Sequence, residues 1–207
     1  GQLLKYVFMV VFTTALSFGL TYMFGYEDEA SSVPAEDEEA GAIIEEETTG
    51  TVPASLQDET IISPIVGQAV ALENVNDPVF SSGAMGQGIA IKPTEGVVYA
   101  PADAEVTIAF ATGHAFGLKT ANGAEVLIHV GIDTVSMNGE GFDQKVAQGD
   151  KVKAGDVLGT FDSAKIAAAG LDDTTMVIVT NTADYASVTP VATGAVAKGD
   201  AIIEVKA

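Results

Sequence analysis

An all-β fold, a sandwich or a barrel, is predicted for residues 61–207 of this 207-residue chain, and two observations predict it. Short apolar runs recur throughout that stretch, and Gly, Pro and Asp punctuate them at close spacing, the rhythm of strands joined by tight turns. A third observation concerns what lies ahead of it. Two segments of opposite composition come first, and they divide the chain into a membrane helix over 1–25, an acidic linker over 26–60 and the β domain.

Leu3 to Phe24 is an apolar run whose one charge is Lys5. At 1.5 Å per residue such a helix spans roughly 30 Å, enough for the hydrocarbon core of a bilayer. It is too long for a cleaved signal peptide, and no small-residue cleavage site follows it. A buried soluble helix would show a polar stripe, whereas Thr13, Thr14, Ser17 and Thr21 are the polar interruptions here. The reading is a transmembrane helix over residues 3–24. Tyr26 to Thr60 then holds twelve acidic residues and no basic one. Such a segment cannot bury enough apolar surface to offset its ordering entropy, so it reads as a disordered, self-repelling tether.

Within the β domain, strands are expected at Gly88–Lys92, Gly96–Tyr99, Glu105–Phe110, Glu125–Val130, Val157–Phe161, Met176–Thr180 and Ala201–Val205. One short helix is expected over Ser163–Ala169, capped by Asp162 or Ser163 and stopped by Gly170. A weak internal echo joins Val146–Leu158 to Val191–Ile202, each holding a Gly-Asp turn that feeds an apolar strand. It reads equally as a repeat or as two ordinary hairpin turns.

Composition narrows the chemistry. Residues 61–207 carry seventeen acidic side chains against eight lysines, and the chain has no arginine, which argues against nucleic-acid binding. Without cysteine there are no disulfides and no thiolate metal sites. No Gly-x-Ser-x-Gly elbow and no Gly-Lys-Ser/Thr phosphate loop occur. The two histidines, His114 and His129, are therefore the candidates for reactive groups.

Period-two alternation puts Val126, Ile128 and Val130 on one face of a strand and Leu127 and His129 on the other. If the first face is core, the His129 imidazole emerges on a more accessible surface. A hairpin through Asn122-Gly123 can carry His114 beside it. Two imidazoles with a carboxylate such as Asp133 or Asp184 could hold zinc, but the chain lacks His-x-His and His-Glu-x-x-His spacing. A histidine acting as nucleophile is the chemistry that is left.

Gly123 through Val135 reads Gly, two free positions, three aliphatics, His, an aliphatic, Gly, an aliphatic, one free position, Thr and an aliphatic. That pattern resembles the glucose-type enzyme IIA domain of the bacterial phosphoenolpyruvate-dependent sugar phosphotransferase system, and it agrees at every position. Similarity extends over residues 62–206 and includes Ser63–Gly67, Asp77–Phe80, Gly86–Pro93, Ala100–Asp103, His114–Phe116 and Gly139–Phe142. The resemblance implies an antiparallel β-sandwich needing no metal and no cofactor. By the same resemblance His129 accepts a phosphoryl group from the carrier protein HPr and passes it to a cysteine of an enzyme IIB domain. His114 stabilises that group, Thr112 orients His114, and the Gly131 backbone carbonyl holds the Nδ1 proton of His129. Val79, Phe80, Met85, Phe110 and Leu127 match a partner-docking apolar collar and equally suit ordinary core; Asp133 matches an acidic position near the site.

A membrane helix directly before the linker looks like the last helix of an enzyme IIC domain. The implied order is B-C-A, as in sucrose, trehalose and β-glucoside permeases, with this chain a C-terminal part and the IIA domain on the cytoplasmic side of the bacterial cell membrane. Lys5 at the start of the helix, with the acidic segment after its end, mildly opposes that orientation. A different class of function, a regulatory module that binds partners according to its phosphorylation state, shares the same surface. A carrier domain for lipoyl or biotinyl groups would need an Asp-Lys-Ala or Met-Lys-Met hairpin tip, and neither occurs.

Overall fold

Short apolar runs broken by turn residues produce fourteen strands among residues 56–207, the part of the chain described by the structure, a computed structural model. The predicted membrane helix over 3–24, and nearly all of the predicted linker, lie outside the described residues. Among the described residues no helix is long and apolar enough to cross a membrane. The strands are β1 (Glu59–Ile62), β2 (Gly67–Ala71), β3 (Gln87–Pro93), β4 (Val97–Tyr99), β5 (Ala104–Ala109), β6 (Ala115–Thr120) and β7 (Glu125–His129). After these come β8 (Phe142–Gln144), β9 (Lys151–Val152), β10 (Val157–Phe161), β11 (Thr175–Val179), β12 (Ser187–Pro190), β13 (Gly194–Val196) and β14 (Ala201–Lys206).

All ladders are antiparallel. An eight-stranded sheet runs β13-β2-β3-β11-β7-β6-β5-β9, and two three-stranded sheets run β1-β14-β12 and β4-β10-β8. The arrangement is sandwich-like. Alternation along the central strands sorts side chains into two apolar layers. Ile89 and Ile91 of β3, Val126 and Ile128 of β7, and Val177 and Val179 of β11 enter the main core. Ala90, Leu127, Met176 and Ile178, on the opposite face of the same strands, enter a second and smaller cluster with Leu72, Val75 and Phe80. A strand buried on both faces loses its polar alternation, which is why β11 reads Thr-Met-Val-Ile-Val and is buried throughout.

Two short α-helices and three 3-10 turns complete the described part. In α1 (Pro78–Ser81) the Asp77 carboxylate accepts hydrogen bonds from the amides of Val79 and Phe80, at 2.8 and 3.3 Å, and proline occupies the first helical position. In α2 (Ser163–Ala168) the cap is Asp162, which accepts from the Ala164 and Lys165 amides. Gly170 follows in the left-handed region at φ +75° and ends the segment.

The internal echo resolves into turn chemistry. At Ala147–Asp150, Lys153–Asp156 and Ala197–Asp200 the aspartate amide donates to the carbonyl three residues back, and its carboxylate accepts from the amide of that residue at 2.8 Å each time. The glycine before each aspartate sits at φ +91°, +89° or +92°, a conformation that favours glycine. Charge counting placed residues 57–60 in the linker, yet β1 begins at Glu59, which pairs with Val205. Asp58 accepts hydrogen bonds from the Ala207 amide and the Lys206 ammonium, and Glu59 accepts one from the Thr120 hydroxyl at 2.7 Å. A local charge count cannot anticipate a strand partner nearly 150 residues away.

Candidate active site

Two hairpins deliver the histidines to one place. β5 pairs with β6, and β6 pairs with β7 so that Ala115 stands opposite His129. The β6–β7 turn contains Asn122-Gly123, with Gly123 at φ +102°. His114 immediately precedes β6, and its carbonyl accepts a hydrogen bond from the Val130 amide at 2.8 Å. The two rings thereby meet edge to face, with centroids 5.1 Å apart and planes at 81°. Met176 of β11 stands opposite His129 on its other side.

His129 does not emerge on an accessible surface, as the alternation suggested. It is 6% exposed and His114 is 1% exposed. The second apolar cluster covers that face of the sheet, and this layer comes from residues 70–85, far from the strand in sequence. Phe80, delivered by α1, lies 5.1 Å from the His129 ring, and Phe110 lies 5.3 Å from the His114 ring. The residues read as either collar or core divide between the two. Phe80 and Leu127 are buried, Met85 and Phe110 are half-buried against the cluster, and Val79 is 48% exposed.

Each ring has its Nδ1 engaged. Gly131 O lies 2.8 Å from His129 Nδ1. A carbonyl can only accept, so Nδ1 carries the proton and Nε2 keeps its lone pair. Thr112 Oγ1 lies 2.6 Å from His114 Nδ1. Burial pushes the His114 pKa down to about 3, with the neighbouring His129 adding to the effect. Burial likewise pushes His129 down to about 4, partly opposed by its bond to Gly131. Both imidazoles are thus free bases at neutral pH.

These depressed values predict an acid-sensitive fold. In the unfolded chain both imidazoles take up protons near pH 6.5, whereas the folded protein resists until about pH 4 and about pH 3. Stability therefore falls as pH drops below about 6.5, by about 2 kcal/mol per histidine at pH 5. Urea midpoints at pH 7 and pH 5 check this. The difference is expected to shrink when both histidines are replaced by glutamine, and an equal difference in that variant would refute the assignment.

Gly131 turns the chain after β7 at φ +76°. A β-carbon there would collide with the Thr134 methyl and come to 2.8 Å of the Asp172 carbonyl oxygen. Thr134 is fully buried and its hydroxyl donates to the Val130 carbonyl at 2.5 Å. Asp133 adopts φ +59° and points out of the core; its carboxylate has no hydrogen-bond or ion-pair partner among the described residues. Asp184 is exposed at the end of a 3-10 turn over Thr182–Asp184. Neither carboxylate joins the imidazoles, and among the described residues no three His, Cys, Asp or Glu side chains gather as a metal site. The capping role of Asp77 and the packing of Met176 were not read from the sequence. An Asp-Pro pair ahead of apolar residues is a helix-start signal that could have found the first.

A family profile describing the phosphoenolpyruvate-dependent sugar phosphotransferase system, EIIA 1, matches residues 59–185. The chain belongs to that family. Among EIIA relatives, a β-glucoside-specific EIIBCA component of Dickeya chrysanthemi is 45% identical over 95% of this chain and 29% of its own length. A glucose-specific EIIA component of Bacillus cereus is 49% identical over 60% of this chain and 76% of its own. The solved glucose permease IIA of Mycoplasma capricolum superposes with a TM-score of 0.68 at 35% identity, covering 72% of this chain and 96% of that one. The EIIA domain here is accordingly a component of a sugar phosphotransferase system. The chain spans about 29% of the length of the β-glucoside EIIBCA relative.

Proposed function

We propose that His129 is the phosphoryl acceptor of a relay running from phospho-HPr to an enzyme IIB cysteine. The observation that carries this is the Nδ1–H bond to the Gly131 carbonyl, which leaves Nε2 of a neutral, buried imidazole as the nucleophile. Its lone pair attacks phosphorus, the donor's N–P bond breaks, and that electron pair returns to the donor imidazole. In the second step a thiolate attacks phosphorus and the Nε2–P electron pair returns to His129. Transfer of this kind asks chiefly for an aligned nucleophile and donors for the phosphoryl oxygens. Thr112 donates its hydroxyl proton to His114 Nδ1, which keeps the His114 proton on Nε2 to serve as such a donor. The half-buried rim of Met85 and Phe110 with exposed Val79, and the carboxylate of Asp133, form the surface on which both partners dock.

The proposed setting is a permease in B-C-A order. The β-glucoside relative aligns over 196 residues, more than residues 61–207 contain, so the likeness reaches into the N-terminal segment. On this reading residues 3–24 end an enzyme IIC domain of the same polypeptide in the bacterial cell membrane. The acidic segment from residue 26 up to the start of β1 then tethers the EIIA domain on the cytoplasmic side, where phospho-HPr is found.

The test is incubation with phosphoenolpyruvate, enzyme I and HPr, followed by intact mass spectrometry. One acid-labile phosphoryl group is expected, mapping to residue 129, and no labelling sinks the proposal. His114→Gln is expected to accept the group at near-normal rate yet to donate to IIB at least about tenfold more slowly, because one donor to the phosphoryl oxygens is lost. Undiminished donation would remove His114 from that role.

A further inference from the structure

Asp172 lies at the entry to β11, outside every feature that marked the site in sequence. Its backbone carbonyl accepts a hydrogen bond from the Ile132 amide at 2.8 Å, and the two residues form an isolated antiparallel bridge. That amide belongs to the same peptide group as the Gly131 carbonyl, which accepts the Nδ1 proton of His129 at 2.8 Å. A peptide group is planar, with its N–H and C=O pointing in opposite directions. Anchoring the N–H on Asp172 therefore aims the C=O at the imidazole, and each bond of the chain polarises the next.

Asp172 is itself held in place. Its carboxylate accepts from the Thr174 amide at 2.7 Å and from the Thr174 hydroxyl at 2.5 Å, closing a local turn directly before β11. Thr174 is buried, and two residues further on Met176 pairs with His129. Burial raises the proton affinity of the Asp172 carboxyl, but the two Thr174 bonds and the Lys92 charge outweigh it and hold the pKa below the ordinary value. The turn is thus tied to the active strand twice, once through the ladder and once through the peptide that fixes the imidazole tautomer.

We infer that Asp172 is a positioning residue for phosphoryl transfer: its side-chain turn with Thr174 sets its own carbonyl, which orients the Gly131–Ile132 peptide and so holds the proton of His129 on Nδ1. This rests on His129 being the acceptor, and it adds a residue that touches neither the phosphoryl group nor the imidazole. The acceptor oxygen matters here, not the charge. Asp172→Asn keeps an oxygen for Thr174, while Asp172→Ala removes it.

The test reads the tautomer without any phosphoryl donor, by ¹⁵N NMR of the imidazole nitrogens in the unphosphorylated protein. Wild type and Asp172→Asn are expected to show the His129 proton on Nδ1. Asp172→Ala is expected to show nitrogen shifts averaged between tautomers, with phosphoryl acceptance slowed about tenfold and regained in Asp172→Asn. If Asp172→Ala does not fold, Thr174→Val, which removes the hydroxyl donor and keeps the amide, should move both readouts in the same direction by less. Unchanged shifts and rate in the folded variants would overturn the inference. Failure of wild type to label at residue 129 would instead overturn the acceptor assignment, leaving the tautomer measurement to decide the role of Asp172.

Discussion

His129→Gln is expected to abolish phosphoryl acceptance, with the rate from phospho-HPr falling at least about 10⁴-fold while the fold at pH 7 loses no more than about 2 kcal/mol. The size of the effect follows from what surrounds the ring. Glutamine is close in volume and equally neutral, so the buried pocket formed by Phe80, Leu127 and Met176 stays filled. A carboxamide nitrogen, however, has no available lone pair with which to attack phosphorus. The chain offers no cysteine, and its remaining histidine, His114, has Nδ1 tied to Thr112. Mass spectrometry of the variant after incubation with the donor system is therefore expected to show no added phosphoryl group. Labelling that migrates to His114 would make that ring a competent acceptor, and labelling that persists undiminished would place the acceptor elsewhere. Urea unfolding of the same sample separates loss of chemistry from loss of structure.

Much of the framework that holds this ring is local enough to be read in the chain. The alternation through Glu125–Val130 sends Val126, Ile128 and Val130 into the main core as expected. Asn122-Gly123 marks the turn that brings His114 alongside, and Asp162 with Gly170 brackets the helix between them. What escaped has one physical cause: it depends on chain segments distant in sequence. The face carrying His129 is buried because Phe80, Leu72 and Val75 fold over it. Period alone cannot tell a strand face turned to solvent from one turned to a second apolar layer. Asp58 and Glu59 counted as linker because their strand and hydrogen-bond partners lie at the far end of the chain and on the β6–β7 turn. The bond from Ile132 to Asp172 likewise spans forty residues through backbone atoms, which leave no trace in residue type.

Gly131→Ala is the second large effect, and it strikes fold and chemistry together. At φ +76° an L side chain already costs about 1–2 kcal/mol. The added methyl would also drive into the Thr134 side chain and the Asp172 carbonyl, both in a close-packed turn that cannot yield without moving the peptide they flank. The expected total is about 2–4 kcal/mol. Any relief must rotate the Gly131 carbonyl, and that carbonyl fixes the His129 tautomer, so acceptance should slow by about 10²-fold in the protein that remains folded. Gly149→Ala is the internal control. It has the same left-handed backbone, at φ +91°, with nothing within 4 Å of a β-carbon, and it lies on a surface turn away from the histidines. That variant should lose only the backbone share, about 1–2 kcal/mol, and keep the wild-type rate. Equal destabilisation of the two variants would mean that Gly131 is needed for its dihedral angle alone. A normal rate in folded Gly131→Ala would mean that the imidazole finds its tautomer without this carbonyl.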